Sequence, residues 1–416
     1  MSRDFDVAVI GGGIVGTACA LELLARGRSV AIIERDEPGA GTAAGSAGYL
    51  SDGEIFPVAH PGTLLALPKM LLDSHGPLVM RPGYLPHMLG WGLRFLGAAR
   101  PRRYRSGIRA LASLNRLAND ALFALASRAA ADRYLVRDGA LHIARQQKTL
   151  EHAASLIPCL IENGIVARAL DRAAVLKMEP HLSSEVAGGV FYPNAGRCTD
   201  PSSFGSALAG RFRADGGTIV RADARAIEPG SDESWQIQTD QGRQVARAVV
   251  VAAGAWSARI MRPLGYLVPL EAARGYHLML PGAGITLQRT LLFEETHFCA
   301  TPMDDGLRLA GTVEFAGLDA PPNVGRSDIL FGLAQRYLPG IRQAGATRWM
   351  GSRPSFPDSL PALGTAGNHR NLYFCFGHEK LGLTQSAISA RIIADLITGK
   401  TPEIDPAPFS LERFAR

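Results

Sequence analysis

The stretch Phe5–Glu34, FDVAVIGGGIVGTACALELLARGRSVAIIE, decides the fold. Phe5–Ile10 is a short apolar run that predicts a buried strand, Thr17–Arg26 has helical periodicity, and Ser29–Glu34 predicts a second strand. Between the first strand and the helix stand Gly11, Gly13 and Gly16 in the spacing G-x-G-x-x-G. Gly11 permits the tight turn, Gly13 lets a pyrophosphate approach the backbone, and Gly16 lets the helix pack close to the strand. The helix start, through Ile14 and Val15, offers free amides and a positive dipole end to the phosphates. Glu34, at the tip of the second strand, is placed to accept hydrogen bonds from both hydroxyls of an adenosine ribose, and an acid there disfavours a 2′-phosphate. Strand, turn, helix, strand and terminal acid in this order predict a βαβ dinucleotide-binding unit that is not built for NADP.

The rest of the chain is consistent with that start. Its 416 residues suffice for two or three folding units at roughly 150 residues each. The 46 glycines and 26 prolines fall beside apolar runs, so the chain is turn-rich and globular. Cys19, Cys159, Cys198, Cys299 and Cys375 are scattered, with no C-x-x-C pair and no His cluster at metal-ligand spacing. A disulfide scaffold and a metal site are not expected, and a reducing compartment is. The uncharged run Val7–Leu21 is preceded by Asp4 and Asp6 and holds three consecutive glycines, which argues against a targeting segment. No other window approaches the roughly 18 uncharged apolar residues of a spanning helix, so any membrane contact is expected to be peripheral.

Two further segments bear on the cofactor. Gly39–Leu50 (GAGTAAGSAGYL) is a run of small residues that lets backbone pass close to a flat ring system; an Ala/Gly-rich surface loop is the other reading. Ala248–Ser257 (AVVVAAGAWS) is an apolar strand ending at Gly254, as at the crevice of a parallel sheet. These segments, with Gly351–Pro354 (GSRP) and Gly377–Gly382 (GHEKLG), resemble the D-amino-acid oxidase-like FAD-dependent oxidoreductases. Pro61-Gly62, Gly311–Phe315 (GTVEF) and Ile404-Asp405-Pro406 make the chain most similar to the bacterial D-amino-acid dehydrogenases within that group. The likeness runs from residue 5 to about 410 and is weakest at residues 75–175.

The resemblance implies an α/β chain in which a Rossmann-like FAD-binding domain (1–50, 194–257 and 346–416) carries an inserted, mostly antiparallel α+β substrate domain (51–193 and 258–345). It implies non-covalent FAD held by Gly11, Gly13, Ile14, Val15, Gly16 and Glu34, by Ser46, Ala47 and Gly48, by Gly254 and Trp256, and by Gly377, His378, Leu381, Gly382, Leu383 and Thr384. Arg35 is counted with that set, although its position after Glu34 is expected to point it to solvent. Glu379-Lys380 departs from the family pattern, where small or hydroxyl residues are usual. Amides at the start of the helix after Leu381 can stabilise negative charge on the reduced flavin. The implied reaction takes hydride from a substrate Cα to the flavin and turns a D-amino acid into a 2-oxo acid and ammonia. Its nearest alternative is oxidation of a secondary amine such as D-proline, 4-hydroxy-D-proline, sarcosine or glycine, and a third is a flavin-fold binding protein without catalysis.

Such a reaction needs the carboxylate gripped, and a guanidinium fork does this with two parallel bonds. Arg353 is the first candidate and Arg274 a weaker one. Tyr276 could hydrogen-bond the carboxylate or pack as a strand residue, with His277 on the opposite face. His378 could touch substrate or serve as a cap. A single G-x-G-x-x-G leaves no second nicotinamide domain, so electrons are expected from the organic substrate and to leave to oxygen, a quinone or a carrier protein.

Beyond the start unit, helices are predicted at Ile108–Ala131, Ser202–Ala214, Asp328–Tyr337 and Leu381–Leu396, with an irregular stretch at 52–105. Strands are predicted at Ala140–Ala144, Gly189–Tyr192, Thr218–Val220, Trp235–Thr239, Val245–Ala252, Gly275–Leu280, Phe293–Ala300 and Arg308–Val313. The net charge of +6, with a pI near 9.2, is local. From Asp73 to Asp120 there is neither acid nor Lys, while Arg81, Arg94, Arg100, Arg102, Arg103, Arg105, Arg109 and Arg116 contribute +8 and leave −2 for the remainder. Leu85, Met88, Leu89, Trp91, Leu93, Phe95 and Leu96 precede most of these arginines. That composition suits peripheral contact of residues 81–109 with anionic lipid, where a quinone would be met, on the inner face of the cytoplasmic membrane. An insertion that packs its apolar side and solvates its arginines fits as well. No interleaved motif supports a nucleic-acid partner.

Overall fold

The computed structural model describes residues 4–63, 76, 78–230 and 232–415. The predicted βαβ start is present as strand Asp4–Ile10, helix Ile14–Ala25 and strand Val30–Glu34. These strands lie parallel and are continued on one side by Thr218–Arg221 and on the other by Gly242–Val251. Gly242–Val251 is long enough to serve two neighbours. Its first half pairs antiparallel with Trp235–Thr239, which pairs in turn with Ala224–Pro229. Its last three residues run parallel to Leu372–Phe376, with Ala362–Thr365 beyond, completing an eight-stranded sheet.

Both faces of this sheet are buried, which is why its strands read as unbroken apolar runs. Val7, Val9, Val30, Ile32 and Val250 point into one core with helix Ile14–Ala25, while Phe5, Ala8, Ile10, Ile33, Val249 and Val251 point into another. Helix Ile14–Ala25 is itself enclosed by helices Pro201–Ala214 and Gly382–Ile397. Ala18 and Ala20 belong to the same core as Ala387, Ala390 and Ala394, a small-residue set that suits close helix packing.

A second, nine-stranded sheet is antiparallel except where Thr290–Phe293 meets Ala140–Ala144 and Gly306–Phe315 meets Leu78–Met80. One face packs on helix Gly325–Gln335 through Leu278, Leu309, Leu330 and Ala334. The opposite face, carrying Ala310, Thr312, Cys299 and His142, is turned to a large cavity. Tyr49–Leu50, Gly196–Cys198 and Leu135–Val136 form a small third sheet beside it.

Three expectations change. Thr347–Ser355 pairs with Glu271–Leu280 in the second sheet, so by hydrogen bonding the boundary expected at 346 falls after Ser355. The run Phe293–Ala300 is two strands, Thr290–Phe293 and Phe298–Met303, because the chain turns at Glu294–His297 and His297 takes a φ of 52°. The stretch expected to be irregular contains helix Leu85–Ala98, whose three glycines and Pro86 mask its periodicity. Among the described residues no helix is long and apolar enough to cross a membrane.

Candidate active site

A cavity of about 1920 Å³ runs from the glycine turn to the open face of the second sheet. At its first end each glycine is fixed for a different reason. Gly11 has a φ of 102°, and a Cβ on it would lie 2.6 Å from the Ala252 carbonyl oxygen. A Cβ on Gly16 would lie 1.9 Å from the Gly11 carbonyl oxygen, whereas one on Gly13 would meet nothing within 4 Å. The turn is therefore closed behind Gly11 and Gly16 and open at Gly13, as a cradle for a pyrophosphate requires. No side chain caps the helix that starts at Ile14, so its first amides remain available to an anion. Glu34 is held by donors on both oxygens, Gly12 N at 2.6 Å and Asp36 N at 2.9 Å. Its remaining lone pairs can accept from ribose hydroxyls, and the side chain lines the cavity.

Arg35 lies 4.2 Å over the Trp256 ring and pairs with Asp36; it is exposed and lines the cavity wall with Trp256 and Gly254. The run Thr42–Gly48 crosses the middle of the cavity, pinned from the second sheet. Arg308 donates to the carbonyls of Ser46 (2.8 Å) and Ala44 (3.3 Å). Burial lowers the His277 pKa to about 4, so the ring is neutral and its Nδ1–H donates to the Gly45 carbonyl at 2.8 Å while the ring stacks on Trp349. A Cβ on Gly45 would sit 2.3 Å from the Trp349 ring, which is why this run needs small residues. A cavity this large, with a pyrophosphate cradle, a fixed ribose acceptor and a small-residue run laid beside a flat space, fits FAD.

At the far end Arg353 projects over Gly275, where a Cβ would lie 2.2 Å from the guanidinium carbon. Its Nη1 donates to the Thr312 carbonyl at 3.3 Å, and among the described residues no carboxylate comes within 4 Å of it. Burial pulls its pKa below the usual guanidinium range, with Glu379 acting in the opposite sense. A half-buried guanidinium without a counter-ion at bonding distance is prepared for an anionic ligand.

Several expected site residues have polar partners within the chain. Tyr276 is buried and lines the cavity; its hydroxyl donates to Glu314 and accepts from Asn323 N at 3.1 Å. Arg274 is fully buried and clasps the carbonyls of Gly317, Ala320 and Pro321. His378 bonds Ser389 of the closing helix at 3.0 Å, and burial pulls its pKa to about 3. That bond fastens the helix start, where Gly377, His378, Leu381, Gly382 and Leu383 line the cavity. Thr384 is outside the lining; its hydroxyl accepts from Ser51 N and donates to the Tyr49 carbonyl, both at 3.4 Å. Ser46, Ala47 and Gly48 line the cavity, and Gly16 serves it only through packing.

A polar cluster at the same end was not read from sequence. Lys380 Nζ lies 2.7 Å from Glu54 Oε2. Lys380 is exposed, and the carboxylates of Glu54 and Glu379 raise its pKa. Burial opposes ionisation of Glu54 and Glu294, yet Lys380 holds the former low and the hydrogen bond from His142 the latter. His142 accepts its place between Tyr49 Oη (3.0 Å) and Glu294 Oε1 (2.9 Å). The departure at Glu379-Lys380 was the one sign of this cluster in the sequence; its other members come from separate strands and loops that only the fold assembles.

Comparison with known proteins agrees with this geometry. The family described as FAD dependent oxidoreductase (DAO) matches residues 6–396. A D-amino-acid oxidase of Bradyrhizobium diazoefficiens is 35% identical, with 100% of both chains covered. A D-amino acid dehydrogenase of Rhizobium johnstonii is 32% identical over 98% of this chain and 99% of its own. Glycine oxidase from Geobacillus kaustophilus superposes with a TM-score of 0.76 at 24% identity, covering 99% of each chain. L-proline dehydrogenase from P. horikoshii has the same TM-score at 17% identity, covering 100% of this chain and 99% of its own. With the dinucleotide cradle, the mixed sheets and a match across nearly the whole length, the chain belongs to the DAO family of FAD-dependent oxidoreductases.

Proposed function

We propose that this chain oxidises D-amino acids to 2-oxo acids and ammonia, with Arg353 binding the substrate carboxylate. The observation that supports the reading is the half-buried Arg353 guanidinium, which faces the flavin cavity and has, among the described residues, no carboxylate within 4 Å. Bound FAD supplies the hydride acceptor. The chain contributes position and electrostatics: Arg353 fixes the carboxylate, Gly275 leaves room for the guanidinium, and the wall of Trp349 and the Thr42–Gly48 run excludes water around the reacting carbon. In this reading the FAD unit comprises residues 4–50, 194–257 and 356–416, with the remainder forming the substrate unit. FAD is held without a covalent bond.

The electron acceptor in this proposal is a membrane quinone, met through residues 81–109. Leu85, Leu89, Leu93 and Leu96 form one stripe along helix Leu85–Ala98, are 52–70% exposed, and line the mouth of the flavin cavity. Exposed Arg100, Arg102, Arg103 and Arg105 follow immediately. An apolar stripe beside exposed arginines is the composition of a peripheral contact with anionic lipid on the inner membrane face. Flotation with vesicles containing anionic lipid should recover the protein, and replacing the four arginines should abolish recovery; unchanged recovery removes this segment as the cause.

Anaerobic titration of the purified flavoprotein with a panel of D-amino acids, L-amino acids and secondary amines tests the substrate class. Bleaching of the flavin band by primary D-amino acids is expected. Bleaching only by D-proline, 4-hydroxy-D-proline, sarcosine or glycine would move the assignment to the secondary-amine reading.

A further inference from the structure

We infer that Tyr49, His142 and Glu294 form a proton relay that takes a proton from the substrate ammonium before hydride leaves. The inference rests on the amino-acid reading above and extends it to the amine.

The chemical need is elementary. An amino acid at neutral pH carries an ammonium group, whose nitrogen has no lone pair to expel hydride from the neighbouring carbon. One N–H bond must break first, with the electron pair staying on nitrogen. The cavity offers a path for that proton. Tyr49 lines it directly after the Thr42–Gly48 run, and its hydroxyl is 3.0 Å from His142 Nε2. His142 Nδ1 is 2.9 Å from Glu294 Oε1, and the ring is buried against Tyr192. The carboxylate of Glu294 can only accept, so Nδ1 carries the hydrogen and Nε2 accepts from Tyr49. The phenol then has a lone pair for an ammonium N–H.

Proton flow through this chain balances without any further reactant. The ammonium proton forms an O–H bond at Tyr49 as the phenolic proton moves to His142 Nε2. The imidazolium so formed is neutralised by Glu294. Burial drives the Tyr49 pKa well up, so Tyr49 cannot rest as a phenolate and must pass its proton on. The charged neighbours around His142 are Glu294 and Glu54, with Asp52 beyond; Lys380 and His297 complete the surroundings. Glu54 is committed to Lys380, which leaves Glu294 as the counter-charge in direct contact with the ring. Tyr49 is the group proposed to touch substrate; His142 and Glu294 act through it.

The test is the pH dependence of anaerobic flavin reduction by the best amino-acid substrate, in the wild type, Tyr49→Phe, His142→Gln and Glu379→Gln. Wild-type reduction should be nearly flat across neutral pH. In Tyr49→Phe only substrate that is already neutral reacts, so the rate should fall about tenfold per pH unit below the amine pKa and recover at high pH. Near pH 7 the loss should be roughly a hundredfold or more. His142→Gln, which can hydrogen-bond but cannot take a proton, should reproduce that slope. A uniform loss at all pH values means that the residues only shape the site and overturns the relay. So does a Tyr49→Phe profile parallel to the wild type, or a slope seen in Glu379→Gln instead. Failure of every amino acid to reduce the wild-type flavin overturns the functional reading itself, a result distinct from any of these.

Discussion

Replacing Arg353 with methionine removes the guanidinium while keeping a side chain that can lie along the same wall. The structure allows the effect to be apportioned. Arg353 has one internal bond, to the Thr312 carbonyl, and among the described residues no carboxylate within 4 Å that its loss would strand. Glu379 feels its charge at longer range, and its pKa, already raised by burial, would rise further. Folding should therefore suffer little, by about 1 kcal/mol for one exchanged hydrogen bond. Substrate binding should suffer far more, because a bidentate carboxylate grip comprises two charge-assisted bonds of roughly 1.5–3 kcal/mol each. A loss of about 3–5 kcal/mol corresponds to a drop of roughly 10²–10³-fold or more in kcat/KM. The assay is anaerobic flavin reduction followed at the flavin band, with reduction by dithionite as the control for an intact cofactor. Arg353→Lys should recover only part of the rate, since an ammonium keeps the charge and loses the fork. A methionine variant with normal flavin and kcat/KM within threefold of the wild type would refute the reasoning, because the carboxylate would then be held elsewhere.

Gly11→Ala should purify without FAD, since its Cβ would meet the Ala252 carbonyl oxygen at 2.6 Å; the ratio of flavin to protein absorbance measures this, and a normal ratio contradicts the cradle. Tyr276→Phe should keep kcat/KM within about threefold yet melt earlier, because Glu314 loses a buried donor at a cost of about 1–3 kcal/mol; a large kinetic defect would return Tyr276 to the substrate. His277 has a folded pKa depressed from 6.5 to about 4, so the unfolded chain takes up its proton first as pH falls. Stability from this site should be full above pH 6.5 and lost between 6.5 and 4, by up to ~3 kcal/mol, and His277→Gln should flatten that part of the melting-temperature profile.

How much of this was legible in the sequence depended on whether a residue's task was local. The turn Gly11–Gly16 and Glu34 lie within one βαβ unit, so spacing alone was enough to place them together in the fold. Arg353 was legible through its GSRP setting, and it does face the cavity. Tyr276 and Arg274 were read from residue type, but their partners, Glu314 and the carbonyls of 317–321, come from strands and loops that meet them only after folding. His378 sat in the expected motif, yet its bond to Ser389 turned its ring to the closing helix. The Tyr49–His142–Glu294 chain draws on the small-residue run, a strand of the second sheet and a turn 152 residues beyond His142. No local pattern joins such positions. Helix Leu85–Ala98 escaped because Gly90, Gly92, Gly97 and Pro86 depress its propensity, while its leucine stripe is visible only when the helix is drawn.

The most direct test of the central claim is a paired measurement with the two enantiomers of one amino acid, anaerobically, against the oxidised flavoprotein. The account predicts that the D-enantiomer bleaches the flavin band with one equivalent each of 2-oxo acid and ammonia per flavin reduced, and that the L-enantiomer does not. An oxidised flavin band that persists with every D-amino acid, while dithionite reduces it normally, would contradict it.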